Sequence, residues 1–241
     1  MKGRYHLLDG MRGLAVVNMV LFHFSYDLFM IFGLDTGWYW KPAIRVWQMA
    51  ICCTFILLSG LCWHLSGKRV KNGLLLNGCG LVVTAVTVLV MPEESVWFGI
   101  LNFLGCALLL TTALEPLLRK ISWQAGGLGS VLMFLLTQKV DQGIIGIGSW
   151  VLTRLPESWY TVSWLAPLGF PTPDFSSSDY FPLLPWFFLY LTGYFLGRKV
   201  LERKRKALTW KGPVLDWIGR HSLVIYMLHQ PVCFAAAMVL G

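Results

Sequence analysis

The stretch LLDGMRGLAVVNMVLFHFSYDLFMIF, residues 7–32, decides the fold. A helix that crosses the hydrocarbon of a bilayer needs about 20 mostly apolar residues, and this run is long enough, yet it carries Asp9, Arg12, His23 and Asp27. Ionisable groups at bilayer depth are costly unless they face the inside of the protein, so each is a candidate for function. On a helix with about 3.6 residues per turn, Arg12 and His23 lie about three turns apart on one face, with Asp27 one turn beyond His23. The helix has a polar stripe. A carboxylate one turn from an imidazole can fix its tautomer and stabilise the imidazolium, as a general base requires. Asp9, one turn before Arg12, reads as a local ion pair and helix cap. The run contains His and Asp and lacks a small-x-small cleavage site, so we expect it to stay as a helix and not to be removed as a signal peptide.

The rest of the chain agrees. Of 241 residues, 56% are hydrophobic and 13% charged, and the mean hydropathy is +0.61, whereas soluble domains carry about a quarter charged residues. The expected class is an all-α, polytopic transmembrane helix bundle forming a single domain over residues 1–241. The net charge of +8 is assigned to membrane topology, not to nucleic acid, because Lys and Arg accumulate on cytoplasmic loops. Cys52, Cys53, Cys62, Cys79, Cys106 and Cys233 all lie in apolar runs and have neither zinc-site nor disulfide-framework spacing, so they read as small core residues. No metal is expected.

Apolar windows fall at residues 8–32, 43–65, 74–91, 97–114, 125–138, 180–197 and 217–240, which predicts about seven spanning helices. The loops GKRVKNG, LLRK and GRKVLERKRKALTWKG are basic, while PEES and the long loop 139–179 are neutral to acidic. That alternation places the N-terminus in the cytoplasm and the C-terminus outside. The long loop, rich in Gly, Pro, Ser and Trp, reads either as a connector anchored at the interface by aromatic residues or as a lid over an external site.

Counted from their external ends, several helices bring polar groups to a depth comparable with His23: Arg45 and Gln48, Asn102, Asp179, and His229 with Gln230. A shared reaction site is the expectation. The inner mouth is basic, with Arg12, Lys68, Arg69, Arg119 and Arg220 among its residues, and suits a phosphorylated ligand; anionic lipid head groups explain many of these charges equally well. The sequence has no Walker motif, no HExxH and no GxSxG.

Five segments, LDGMRGLAVVNMVLFHFSYDL, FILLSGLCWHLSGKR, FGILNFLGCALLL, DYFPLLPWFFLYLTGYFLGR and LDWIGRHSLVIYMLHQPV, together resemble, in order, the small bacterial relatives of the heparan-α-glucosaminide N-acetyltransferase catalytic domain. LDGMRGLA…LFH is also similar to the wider transmembrane acyltransferase superfamily. The resemblance implies transfer of an acyl group, acetyl first of all, from cytoplasmic acetyl-CoA or another acyl-CoA across the bilayer to an amine or hydroxyl of a sugar or cell-envelope acceptor. It makes His23 the intramembrane histidine, puts Arg12 in the first-helix signature, and places Asp179, Trp186 and His229 in the last two motifs. Asn102 stands where several relatives carry His, and residues 33–45 hold no histidine.

The resulting expectation is an enzyme of the bacterial inner membrane. His23 is base or acyl carrier, Asp27 its orienter, and His229 the third catalytic group. Arg12, Arg220, Lys68, Arg69 and Arg119 meet the acyl-CoA, and Asn102, Asp179, Trp186, Arg45 and Gln230 the acceptor. Membrane lipids are the surroundings, and assembly into a homo-oligomer stays open. The alternative is a proton-coupled small-molecule transporter, for which buried His and Asp are equally natural, although the sequence has no detectable inverted repeat.

Overall fold

The computed structural model describes residues 5–203 and 212–240; Lys204, Arg205 and Lys206 of the expected cytoplasmic basic run lie outside the described residues. The order of elements is α1 (His6–Tyr26), which continues into a π-helical turn (Asp27–Ile31), α2 (Pro42–Cys62), α3 (Arg69–Val90), α4 (Ile100–Leu118), α5 (Trp123–Leu136), β1 (Ile144–Ile147), β2 (Trp150–Arg154), α6 (Leu183–Arg203), α7 (Pro213–Arg220) and α8 (Ser222–Leu240), with short 3-10 turns between.

Five stretches among the described residues are long and apolar enough to cross a membrane: His6–Ile31, Pro42–Leu65, Arg69–Val90, Ile100–Leu118 and Ser222–Leu240. Helices of this length and composition are those of a multi-pass membrane protein. The other two apolar windows also fall on helices, with physical differences. α5 has 14 residues, too few to cross a core about 30 Å thick at about 1.5 Å per residue. α6 ends in the charged run Arg198, Lys199, Glu202 and Arg203, which shortens its apolar part. The window 217–240 is divided by a break at His221 between α7 and α8.

One short two-stranded sheet accompanies the helices. Inside the stretch 139–179, read from the sequence as an interfacial connector or a lid, β1 and β2 pair antiparallel, with Ile144 opposite Arg154 and Ile147 opposite Trp150. β-branched residues favour the extended backbone, and Gly148 takes the positive φ of 59° at the turn. A bulge interrupts the register between Ile145 and Gly146.

The chain divides into two compact units, residues Met1–Leu58 with Val200–Gly241, and Ser59–Lys199. In the first, Val16, Met19, Phe22, Trp38 and Ile51 form a buried cluster joined by Trp47, Ile218, Ile225 and Tyr226. Phe22 meets Trp38 and Trp47 with ring centroids 5.6 and 5.5 Å apart. α1 and α7 approach through glycine: a methyl group on Gly13 would overlap the Leu215 carbonyl oxygen and stand 3.1 Å from Gly219 N. In a membrane, where lipid is as apolar as leucine, close backbone approach through small residues is a main source of helix association.

In the second unit, Trp63, Leu108, Leu118, Leu191, Tyr194 and Phe195 form the core. α3 and α4 meet through Gly73, Gly80 and Gly105, against which Leu109, Asn102 and Asn77 pack. Residues 177–181 are stitched to residues 94–100: Ser177 Oγ accepts from Trp97 N–H at 2.9 Å, Ser178 Oγ donates to the Glu94 carbonyl at 2.8 Å, and Phe181 N–H donates to the Phe98 carbonyl at 3.1 Å.

Candidate active site

The π-helical turn that follows α1 begins at Asp27. Such turns interrupt regular helices at a cost and recur at functional sites. Asp27 is fully buried, and its Oδ1 accepts a hydrogen bond from Gln230 Nε2 at 2.9 Å. One residue before Gln230, His229 brings its ring to within 4.7 Å of the His23 ring, centroid to centroid, at an interplanar angle of 65°. The four residues His23, Asp27, His229 and Gln230 therefore lie together in the first unit. Pro231, inside α8, has no N–H to offer the carbonyl one turn earlier, which loosens the helix at this point.

Proton positions follow from the partners. His229 Nδ1 lies 2.6 Å from the Tyr226 carbonyl oxygen. A carbonyl only accepts, so Nδ1 carries the hydrogen, and in the neutral ring Nε2 holds the free lone pair. That Nε2 is buried and has no hydrogen-bond partner among the described residues. The same logic orients Gln230: its amide NH2 faces the Asp27 carboxylate, and its Oε1 is the atom left buried and unpartnered among the described residues. Both atoms are acceptors, so the group that would complete either one is an N–H or O–H donor. The His23 ring has no hydrogen bond among the described residues; its neighbours are the rings of Phe22, at 5.9 Å, and His229. The expected orienter Asp27 is thus engaged by Gln230.

At the start of α1, Arg12 Nη1 stands 3.5 Å from Asp9 Oδ1. His6 Nδ1 lies 2.8 Å from Asp216 Oδ2, and Arg220 Nε donates to the Asp216 carbonyl at 3.1 Å. Asp216 is thereby the hub of the α1–α7 contact, beside the Gly13–Gly219 approach. Nothing in residue type alone marks His6 and Asp216 as partners; the small residues of DGMRG and WIGR are the available signal. Arg45, at the start of α2, is exposed.

The expected residues of the second unit are held by their own contacts. Asn102 is buried in the α3–α4 seam, its Nδ2 3.4 Å from the Asn77 carbonyl and its amide packed against Gly80. Asp179 Oδ2 accepts from Ile100 N–H at 3.1 Å, capping α4 from a distant part of the chain; burial pushes its pKa up to about 6, against the opposing pull of that hydrogen bond. Trp186 packs on Phe181 and Phe134 with centroids 5.0 and 5.7 Å away. Arg69 lies over the Trp63 ring at 3.6 Å and donates through Nε to the Trp63 carbonyl at 3.2 Å, while Lys68 and Arg119 are exposed. Arg198, another of the basic residues that the sequence places at the inner mouth, donates through Nη1 to the Ile121 carbonyl at 2.7 Å just beyond the C-terminus of α4.

A family model described as "Heparan-alpha-glucosaminide N-acetyltransferase, catalytic" matches residues 4–231. No curated protein and no solved structure matches the chain.

Proposed function

Because the chain belongs to the heparan-alpha-glucosaminide N-acetyltransferase catalytic family, and so to the membrane acetyltransferases, we propose that it moves an acetyl group from acetyl-CoA, supplied from the cytoplasm, to an amine or hydroxyl of a sugar or cell-envelope component. The observation that carries this reading is the buried His229 Nε2, an acceptor without a donor among the described residues, beside the second imidazole of His23.

In this scheme His229 Nε2 takes the proton of the acceptor N–H or O–H as that nitrogen or oxygen bonds to the thioester carbonyl carbon. The C–S bond then breaks, and the leaving CoA thiolate recovers the proton from the imidazolium. His23 sits beside the reacting carbonyl, where an imidazole N–H stabilises the charge that develops on oxygen. This gives His229 the base role and His23 the supporting one, the reverse of the order that the motif resemblance implies. Asp27 and Gln230 hold α1 and α8 in register around the pair. Arg12 and Arg220, in the same unit, are assigned to the donor's phosphates. Asn102, Asp179 and Trp186 receive no chemical step, because contacts within their own unit account for their positions.

The test uses purified protein in proteoliposomes, isotopically labelled acetyl-CoA and glucosamine as a trial acceptor, with free CoA and acetylated product measured by mass spectrometry. Acceptor-dependent release of CoA in the wild type, lost in folded His229→Ala protein that still binds acetyl-CoA, supports the reading. A folded wild type that binds no acetyl-CoA at any concentration tried overturns it.

A further inference from the structure

Between α5 and α6, the hairpin β1–β2 exposes an apolar surface that the reaction scheme does not use. Trp150 is 84% exposed, Leu152 73% and Val151 51%, and Trp164, in the turn Ser163–Leu168, is 74% exposed. In water, each large apolar side chain left uncovered forgoes about 1.5–3 kcal/mol of burial. The hydrocarbon core is no better a place for the hairpin. β1 and β2 form a sheet of two strands, so each has an outer edge, and hydrocarbon cannot satisfy unpaired edge N–H and C=O groups. One environment meets both demands: the headgroup layer of a bilayer, where water reaches the backbone and acyl chains begin within reach of the side chains.

The surroundings of the hairpin agree with that placement. β1 packs on α5, a helix with no charged residue whose Leu128 and Leu132 are also exposed, so the helix next to the hairpin exposes apolar side chains as well. Arg154, at the end of β2, is exposed and supplies a cation for lipid phosphate. Lys139 Nζ donates to the Gly148 carbonyl at 2.6 Å, tying the turn between the strands to the segment that leads into β1.

We propose that the β1–β2 hairpin is an interfacial anchor: it lies in the headgroup layer with Trp150 and Leu152 reaching the acyl chains, and phospholipid covers its apolar surface. The inference is independent of the acetyl-transfer chemistry. It predicts a hairpin fixed at a set depth, about 5–10 Å into the boundary between headgroups and acyl chains.

Spin labels at Trp150→Cys and Leu152→Cys, in protein whose six native cysteines are replaced by alanine, are compared with a label at Ser176→Cys in phosphatidylcholine proteoliposomes. The expected result is a severalfold higher ratio of oxygen to water-soluble nickel-complex accessibility at 150 and 152 than at 176. Equal ratios at all three positions mean a solvated loop and overturn the proposal. Low accessibility to both reagents at 150 and 152 means that protein, not lipid, covers the surface, and overturns it as well. Should the cysteine-free protein not fold, the native chain gives the same decision: brominated phosphatidylcholine quenches the wild type more than Trp150→Phe if Trp150 meets acyl chains, and quenches both alike if it does not.

Discussion

Gly13 on α1 and Gly219 on α7 share one point of closest approach, for a methyl group on Gly219 would lie 3.0 Å from Gly13 N and overlap the Asp9 carbonyl oxygen. The obstacles are backbone atoms, which cannot step aside as a flexible side chain would. Gly13→Ala and Gly219→Ala should each destabilise the first unit by about 3 kcal/mol, in the upper range of overpacking penalties. Gly129→Ala in α5, where nothing lies within 4 Å, should be neutral or stabilising by up to about 1 kcal/mol. Thermal unfolding in detergent separates the three, and unchanged stability in both Gly13→Ala and Gly219→Ala would remove the close approach from the account.

The hydrogen bond from Gln230 to Asp27 joins α8 to the π-helical turn. Gln230→Leu withdraws a donor from a buried carboxylate, and leaving such a group short of a partner costs about 1–3 kcal/mol. We expect a lower unfolding midpoint for Gln230→Leu and a smaller loss for Gln230→Asn. Should Gln230→Leu unfold like the wild type, the bond does not fasten α8.

For the histidines, loss of a positioned base lowers the rate by about 10²- to 10⁴-fold. His229→Ala should fall in that range with acetyl-CoA binding retained. His23→Ala should lose less, because His229 Nε2 survives. Acetyl transfer by both folded variants decides between them, and an inactive His23→Ala beside an active His229→Ala exchanges the two roles.

Asp179 gives a pH signature. Its carboxyl holds its proton up to about pH 6 in the folded protein, against a reference pKa of 3.8. Between these values the folded chain binds more protons than the unfolded one, so stability is fullest below the lower value and declines as pH rises towards the upper one. A drop of about 1–2 kcal/mol is expected for this partly exposed group. Asp179→Asn keeps an acceptor for Ile100 N–H and should flatten the decline. Unfolding midpoints measured across that range for both proteins test this, and parallel curves would assign the slope to another group.

The sequence displays five of the helices well because their apolar windows are long and the bilayer demands length. It shows His23, Asp27, His229 and Gln230 for a related reason: a polar residue stands out against an apolar run. What it hides is pairing. Nothing local distinguishes Asp27 serving His23, one turn away, from Asp27 serving Gln230 at the far end of the chain, since the choice is made when α1 and α8 pack. The tautomer of His229 is hidden likewise, being set by the Tyr226 main chain and not by a side-chain motif. The hairpin escaped because a short glycine-interrupted apolar run gives a weak strand signal.

The Tyr226 carbonyl that fixes the His229 ring also sets which way traffic can flow through it. A ring wired at both nitrogens passes a proton in on one side and out on the other, as a relay does. In His229 the Nδ1 hydrogen points at an atom that cannot accept ownership of it, so the ring is a cul-de-sac: whatever proton enters at Nε2 must leave by the same door. In the proposed scheme each cycle then returns to its starting charge without moving a proton through this ring, and acetyl transfer by that scheme need not draw on the membrane potential.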